Sequence, residues 1–434
     1  MKHTENRRRF LKSGAALALA TTIGKAASAA PKTVNVVTSY PDEFVSRIEA
    51  AFEKAHPEYR LRIIWRMPGD AAPFLQQPGH GGADVYWSPS PRTFSRLAGK
   101  GIWRQLPVDR KMLPTHIGKA ALSDAEGYYT ATEVAGFGFA VSPAALAKHG
   151  IALPRDWPDL TDPRLAGLIS LPVPARVGFA PPLIDIVLQA WGWEHGWALW
   201  SEIAANAVLI DQGSTFVTDE IVAGRSAVGI SIDFFVNAAI ANGAQLEFIY
   251  PLHTGLNPAH IAVTRDSANP AGAAAFAGFI LSPAGQGLLA HPDIRRLPVR
   301  PDVYASLPGR PYNPFAAAAA GGLQFDSDAA RPRLATLATV FQQMLIEPHA
   351  ELRELWQRLH RAEASGQPTT PIRALLTRPP IDEATANSPE LQRLIGLRLE
   401  GGREAPLTSA ELAWRDRCTQ QRRRAAQLLG ALKA

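Results

Sequence analysis

Cysteine occurs once in the 434 residues, as Cys418, so no disulfide can form within the chain and the fold must rest on its hydrophobic core. A chain of this length can supply such a core for two domains. Enzyme signatures are missing too: there is no phosphate-cradling Gly-x-x-x-x-Gly-Lys-Ser/Thr, no Gly-x-Ser-x-Gly elbow and no His-Glu-x-x-His. Gly136-Phe137-Gly138 lacks the third glycine of a dinucleotide fingerprint and reads as close backbone packing in a crossing strand. The histidines show no metal-ligand spacing, so neither a metal nor a cofactor is expected. A triad assembled from distant positions leaves no such trace. An excess of basic charge is largely absent from the body of the chain. Five of the six net positive charges fall within residues 1–29, which removes the argument for a nucleic-acid partner. The basic residues near the C-terminus, Arg415, Arg417, Arg422, Arg423, Arg424 and Lys433, read as a solvated helix face.

What is present begins at the N-terminus. Asn6-Arg7-Arg8-Arg9-Phe10-Leu11-Lys12, a short apolar stretch and Ala27-Ser28-Ala29 have the order of a bacterial export signal. The paired arginines before Phe-Leu-Lys resemble a twin-arginine address. The plainer alternative is a basic tail ahead of an ordinary helix. The apolar segment at residues 15–23 is about half the roughly twenty residues that span a bilayer. Export by the twin-arginine machinery, cleavage near Ala29 and a periplasmic mature chain from Ala30 are therefore expected.

From Thr33 onward, strand-like apolar runs alternate with helical patterns, the mark of a mostly parallel sheet flanked by helices. Strands are expected at 34–38, 61–65 and 84–87, with a helix over 42–55 closed by His56-Pro57. Residues 129–141 read as an extended crossing segment. A second group follows, with strands at 168–172, 207–210, 227–232 and 245–250 and helices at 181–191, 218–223 and 234–241. Residues 260–263 return the chain to the first unit. The expected division is lobe 1 at 30–140 and 259–330, lobe 2 at 141–258, and a helical C-terminal extension at 331–434. In that extension 366–380 reads as a loop, and two crossings allow a hinge around a ligand.

Open α/β sheets bind ligands at the carboxyl ends of their strands, and small polar residues recur there. Ser39 and Tyr40 follow the first strand, Ser88 and Ser90 the third. In the second lobe the candidates are Arg176, Gly178, Ser214, Thr215 and Asp233. Arg176 is suited to a bidentate pair with carboxylate, phosphate or phosphonate. Each residue taken alone is also an ordinary loop or cap residue.

The runs Thr38-Ser39-Tyr40-Pro41, Asp84-Val85-Tyr86-Trp87-Ser88-Pro89, Thr130-Ala131-Thr132-Glu133, Val228 through Phe235 and Leu281 through Gln286 resemble solute-binding proteins of bacterial ATP-binding-cassette importers. The group includes ferric-iron, phosphoglycerate and aminophosphonate binders. The resemblance covers about Thr33 to Phe315 and adds Thr132 to the candidates. It implies an α/β, two-lobed periplasmic binding protein of type 2 with a two-strand hinge, delivering its solute to a membrane permease and its ATPase. Ferric members hold iron through two adjacent tyrosines where this chain has Phe234-Phe235, and phenyl rings offer no oxygen to Fe(III). The remaining expectation is a small anionic or zwitterionic solute, phosphorylated or phosphonate, with Asp233 facing Arg176 or a ligand ammonium. Ferric-iron transport, sensory presentation to a membrane kinase and a cysteine enzyme like the thiamine-degrading relatives are the alternatives. The region after about residue 330 is longer than the resemblance covers.

Overall fold

The computed structural model describes residues 30–432 except 310, 401, 403 and 404, so the expected export signal lies outside the described residues. The first lobe starts with strand β1 (Lys32–Thr38), helix α1 (Asp42–Ala55) and strand β2 (Tyr59–Trp65). Val34, Val36 and Val37 are fully buried in β1, and α1 buries Phe44, Val45, Ile48 and Phe52. Spacings of three and four residues put that apolar set on one face of the helix. Asp42 and Glu43 in the first turn and Lys54 in the last complement the helix dipole. Strand β3 (Val85–Ser88) then leads into helix α2 (Pro91–Ala98), whose N-cap is Ser90.

Strand β4 (Tyr129–Val141) is the long crossing segment. The second lobe holds β5 (Ile169–Pro172), α3 (Pro181–Trp191), α4 (Trp193–Asn206), β6 (Ala207–Ile210), α5 (Phe216–Val222), β7 (Val228–Ile232), α6 (Asp233–Ala241) and β8 (Glu247–Ile249). Strand β9 (Leu256–Val263) brings the chain back, and β10 (Leu297–Pro298) pairs with β4. The strand order is β2-β1-β3-β9-β4-β7-β5-β6. Neighbours β2, β1 and β3 are parallel, as are β7, β5 and β6, while β9 and β4 are antiparallel to their neighbours. Thus β4 serves both lobes: Tyr129–Gly136 pairs with β9, and Phe137–Val141 pairs with β7.

Two glycines make that crossing close. A Cβ at Gly138 would lie 2.2 Å from the Ile249 carbonyl oxygen, and one at Gly136 would meet the Tyr250 ring at 2.5 Å. Only glycine permits both approaches.

Residues 193–206, unassigned from sequence, form α4, which starts directly after Gly192 in the left-handed region at φ 78°. The stretch read as a loop at 366–380 contains helix α7 (Thr370–Thr377). Proline at its first turn opens a helix rather than breaking one, and Ile372 and Leu376 are buried in the core. The remaining C-terminal helices include residues 334–341, 349–364, 389–400 and 409–431. They share one core with the second lobe, in which Phe341, Trp356 and Trp414 join Trp157, Trp197 and Trp200. Arg333 fixes this union by donating to buried Asp185 on α3 at 2.6 Å and to Glu383 at 3.0 Å. Among the described residues no helix is long and apolar enough to cross a membrane.

Candidate functional site

The carboxyl ends of β1 and β3 in one lobe and of β7 in the other face a single cleft of about 1300 Å³. Its first wall carries Ser39, Ser90, Arg92, Tyr129 and His260, and its second carries Gly178, Phe179, Ser214, Phe234 and Phe235. The segment before residue 334 closes one side with Phe325, Asp328 and Arg331, the last two forming an ion pair.

Four residues expected from sequence therefore line the cleft: Ser39, Ser90, Gly178 and Ser214. Ser39 shares a 2.9 Å hydrogen bond with Ser88, and Ser90 shares one of 2.7 Å with Thr93. Ser88 itself is fully buried and supports Ser39 from behind.

The expectation of direct solute contact does not hold for Tyr40, Thr132 and Asp233, because all three are buried behind the cleft wall and bonded to protein groups. The buried Tyr40 hydroxyl donates to Glu133. Thr132 donates to the same carboxylate and accepts from the Trp87 indole at 3.0 Å. Asp233 is 1 % exposed and accepts from the Gly136 amide at 2.8 Å and the Tyr250 hydroxyl at 2.9 Å, tying α6 to the crossing strand. Burial pushes its carboxyl up to about 6, against the pull of the Gly136 amide and of Arg296. Arg176 is exposed and outside the cleft wall, as is Thr215. The pairing of Asp233 with Arg176 is thereby replaced by bonds to Gly136 and Tyr250.

Sequence reasoning missed two groups. Arg296 is 8 % exposed, with its guanidinium carbon 3.7 Å from the Phe234 ring centre and 5.8 Å from that of Tyr40. Its charge draws the buried Glu133 and Asp233 carboxyls downward while burial raises both. A cation over a phenyl face is favourable, yet nothing in the run Arg295-Arg296-Leu297-Pro298 distinguishes one arginine from the other. His260 is the second group. Its ring centre lies 5.1 Å from Tyr129 and 5.4 Å from Phe94, and its Nδ1 has no partner among the described residues. Burial, with a smaller contribution from Arg331, pushes this imidazole down to about 3, so it is neutral at physiological pH.

Cys418 is buried in the shared core, and burial pushes its thiol up to about 11. A protonated thiol away from the cleft is unsuited to nucleophilic attack.

Residues 83–314 match the family model described as bacterial extracellular solute-binding protein. A curated relative, the phosphoglycerate transport regulatory protein PgtC of Salmonella typhimurium, is 32 % identical over 266 residues. That match covers 59 % of this chain and spans 64 % of the relative's length. Among solved structures, the periplasmic binding protein AfuA of Actinobacillus pleuropneumoniae, with exogenous fructose-6-phosphate bound, aligns with a TM-score of 0.56 at 19 % identity. The alignment covers 75 % of this chain and 97 % of AfuA. Iron-bound HitA of Pseudomonas aeruginosa gives 0.54 at 17 % identity, covering 71 % and 98 %. These likenesses establish a two-lobed fold.

Proposed function

Because the chain belongs to the bacterial extracellular solute-binding proteins, we propose that it captures a small anionic organic solute between its lobes for an ATP-binding-cassette importer. The solute class is a phosphorylated or phosphonate compound. The observation that carries this reading is the cleft at the strand ends of both lobes, with serine hydroxyls and Arg92 on one wall and Arg331 at its side. Hydroxyls and arginines recognise oxyanions through charge-assisted hydrogen bonds. The relative PgtC is described by phosphoglycerate transport and the neighbour AfuA by bound fructose-6-phosphate, which supports the same class. A zwitterionic solute finds its counter-charge in Asp124 or Asp328 on the cleft rather than in buried Asp233.

In this reading the mature protein works in the periplasm after export by the twin-arginine route, and it delivers its cargo to a permease and ATPase in the inner membrane. It acts by binding and release, with no chemical step. Ferric iron is disfavoured because Phe234 and Phe235 stand on the cleft where ferric members carry their two adjacent tyrosines, and phenyl rings offer no oxygen there. Presentation of the loaded state to a membrane kinase is the second reading, favoured by the description of PgtC as a regulatory protein.

A thermal-shift comparison of 3-phosphoglycerate, 2-aminoethylphosphonate and ferric citrate tests the proposal. A ligand at a hundred times its dissociation constant adds about 2.7 kcal/mol of apparent stability. A shift of that order is expected with a phosphorus anion. Stabilisation by ferric citrate alone, with visible charge-transfer absorbance, would reverse the assignment.

A further inference from the structure

The two walls of the cleft differ in chemistry, and we propose that the site is built for an oxyanion carried on an aromatic or similarly flat apolar body. The head would lie on the first lobe and the ring against the second. This deepens the reading of the cleft as a capture site for an organic anion and rests on it.

On the first lobe Ser39, Ser90 and exposed Arg92 offer hydroxyls and a positive charge. Opposite them stand Phe179, from the loop after β5, and Phe234 and Phe235, at the start of α6. The Phe234 and Phe235 ring centres are 4.2 Å apart, and Phe179 and Phe235 are 6.0 Å apart. All three rings are only half-buried. They form a contiguous phenyl surface that lines the cleft.

Such a surface favours an apolar partner through burial of area and offset or edge contacts between rings. A short polyhydroxylated phosphate closed between these walls would desolvate its hydroxyls against phenyl faces that supply no acceptors. The wall that discriminates is therefore the second lobe, and the wall that attracts charge is the first. Arg296 also lies over the Phe234 ring, its guanidinium carbon 3.7 Å from the ring centre, and restrains its orientation. A ring held in this way presents a fixed surface rather than a mobile one, which lowers the ordering cost of binding.

Calorimetric titration with methylphosphonate and phenylphosphonate, which share a head and differ in the ring, tests the inference; 3-phosphoglycerate is the third probe. Phenylphosphonate is expected to bind at least about tenfold more tightly than methylphosphonate, since even one extra methylene in a matched pocket is worth about tenfold or more. Phe235→Ser and, separately, Phe179→Ser should each shrink that ratio. The wild-type ratio stands as a test even where a variant fails to fold. Two phosphonates binding within about threefold of each other would overturn the inference, as would a wild-type ratio preserved in both folded variants. Binding of 3-phosphoglycerate in preference to phenylphosphonate would overturn it while leaving the anion-capture reading intact. If none of the three anions binds, both fall.

Discussion

Replacing Arg333 by alanine is expected to destabilise the protein by about 3–5 kcal/mol, the usual effect of removing one member of a buried ion pair. The Asp185 side chain is 0 % exposed, and Arg333 donates to it at 2.6 Å, with Gln189 as a second donor at 2.9 Å. Burial raises the Asp185 carboxyl, and the arginine charge opposes that rise. Without Arg333 the carboxylate must stay charged and poorly compensated in the core or take up a proton. Either outcome weakens the contact between α3 and the C-terminal helices, which share one core. The loss is a large fraction of the roughly 5–15 kcal/mol that holds a typical domain. Denaturant unfolding at pH 7 measures it. Combining Arg333→Ala with Asp185→Leu should recover much of the loss, because a buried pair replaced as a unit costs little. A single variant within about 0.5 kcal/mol of wild type would mean that the C-terminal helices are not held to the second lobe by this contact.

The second large effect is acid sensitivity at His260. The folded imidazole is pushed down to about 3 from an ordinary value of 6.5. Below pH 6.5 the unfolded chain takes up a proton that the folded chain resists, so stability is lost as pH falls from 6.5 towards 3. Two and a half pH units of such a difference correspond to about 3 kcal/mol between pH 6.5 and pH 4. Phe94 and Tyr129 face the ring, and Arg331 adds like charge. His260→Leu removes the titrating group and places an apolar side chain in its stead on β9. Raised Asp233 acts in the opposite sense in the same window, since its folded form retains a proton that the unfolded chain has lost. Comparing variant with wild type cancels that contribution. Unfolding free energies at pH 6.5 and pH 4 should show wild type losing about 3 kcal/mol more than the variant. Equal losses would mean that the folded protein accepts the charge on His260.

Where periodicity was clean and proline or glycine punctuated it, the sequence was legible almost to the residue. Helices 42–55 and 181–191 and strands 129–141 and 207–210 have the bounds read from pattern alone. Helix α4 escaped because Trp193, Trp197, Leu199, Trp200, Ile203 and Ala204 are buried on several faces, which leaves no single apolar stripe. Helix α7 escaped because Gly366 and Pro368 signal a loop just ahead of it. The strand-end logic found Ser39, Ser90, Gly178 and Ser214. It could not find what occupies Tyr40, Thr132 and Asp233, since their partners Glu133, Trp87, Gly136 and Tyr250 arrive from other strands and loops. Arg176 carries suitable chemistry, but the turn after β5 leaves it exposed outside the cleft wall. Arg296 had no local signature, because its role depends on Phe234, which is sixty-two positions away in the chain.

Capture of an anion between two hinged lobes is tested most directly by small-angle X-ray scattering of the protein with and without the phosphorus anion that gives the largest thermal shift. A solute bridging the walls draws the lobes together about the β4 and β9 crossings, so the radius of gyration should fall on saturation and return on dialysis. A bound protein whose scattering matches the free form at every angle would contradict capture between the lobes.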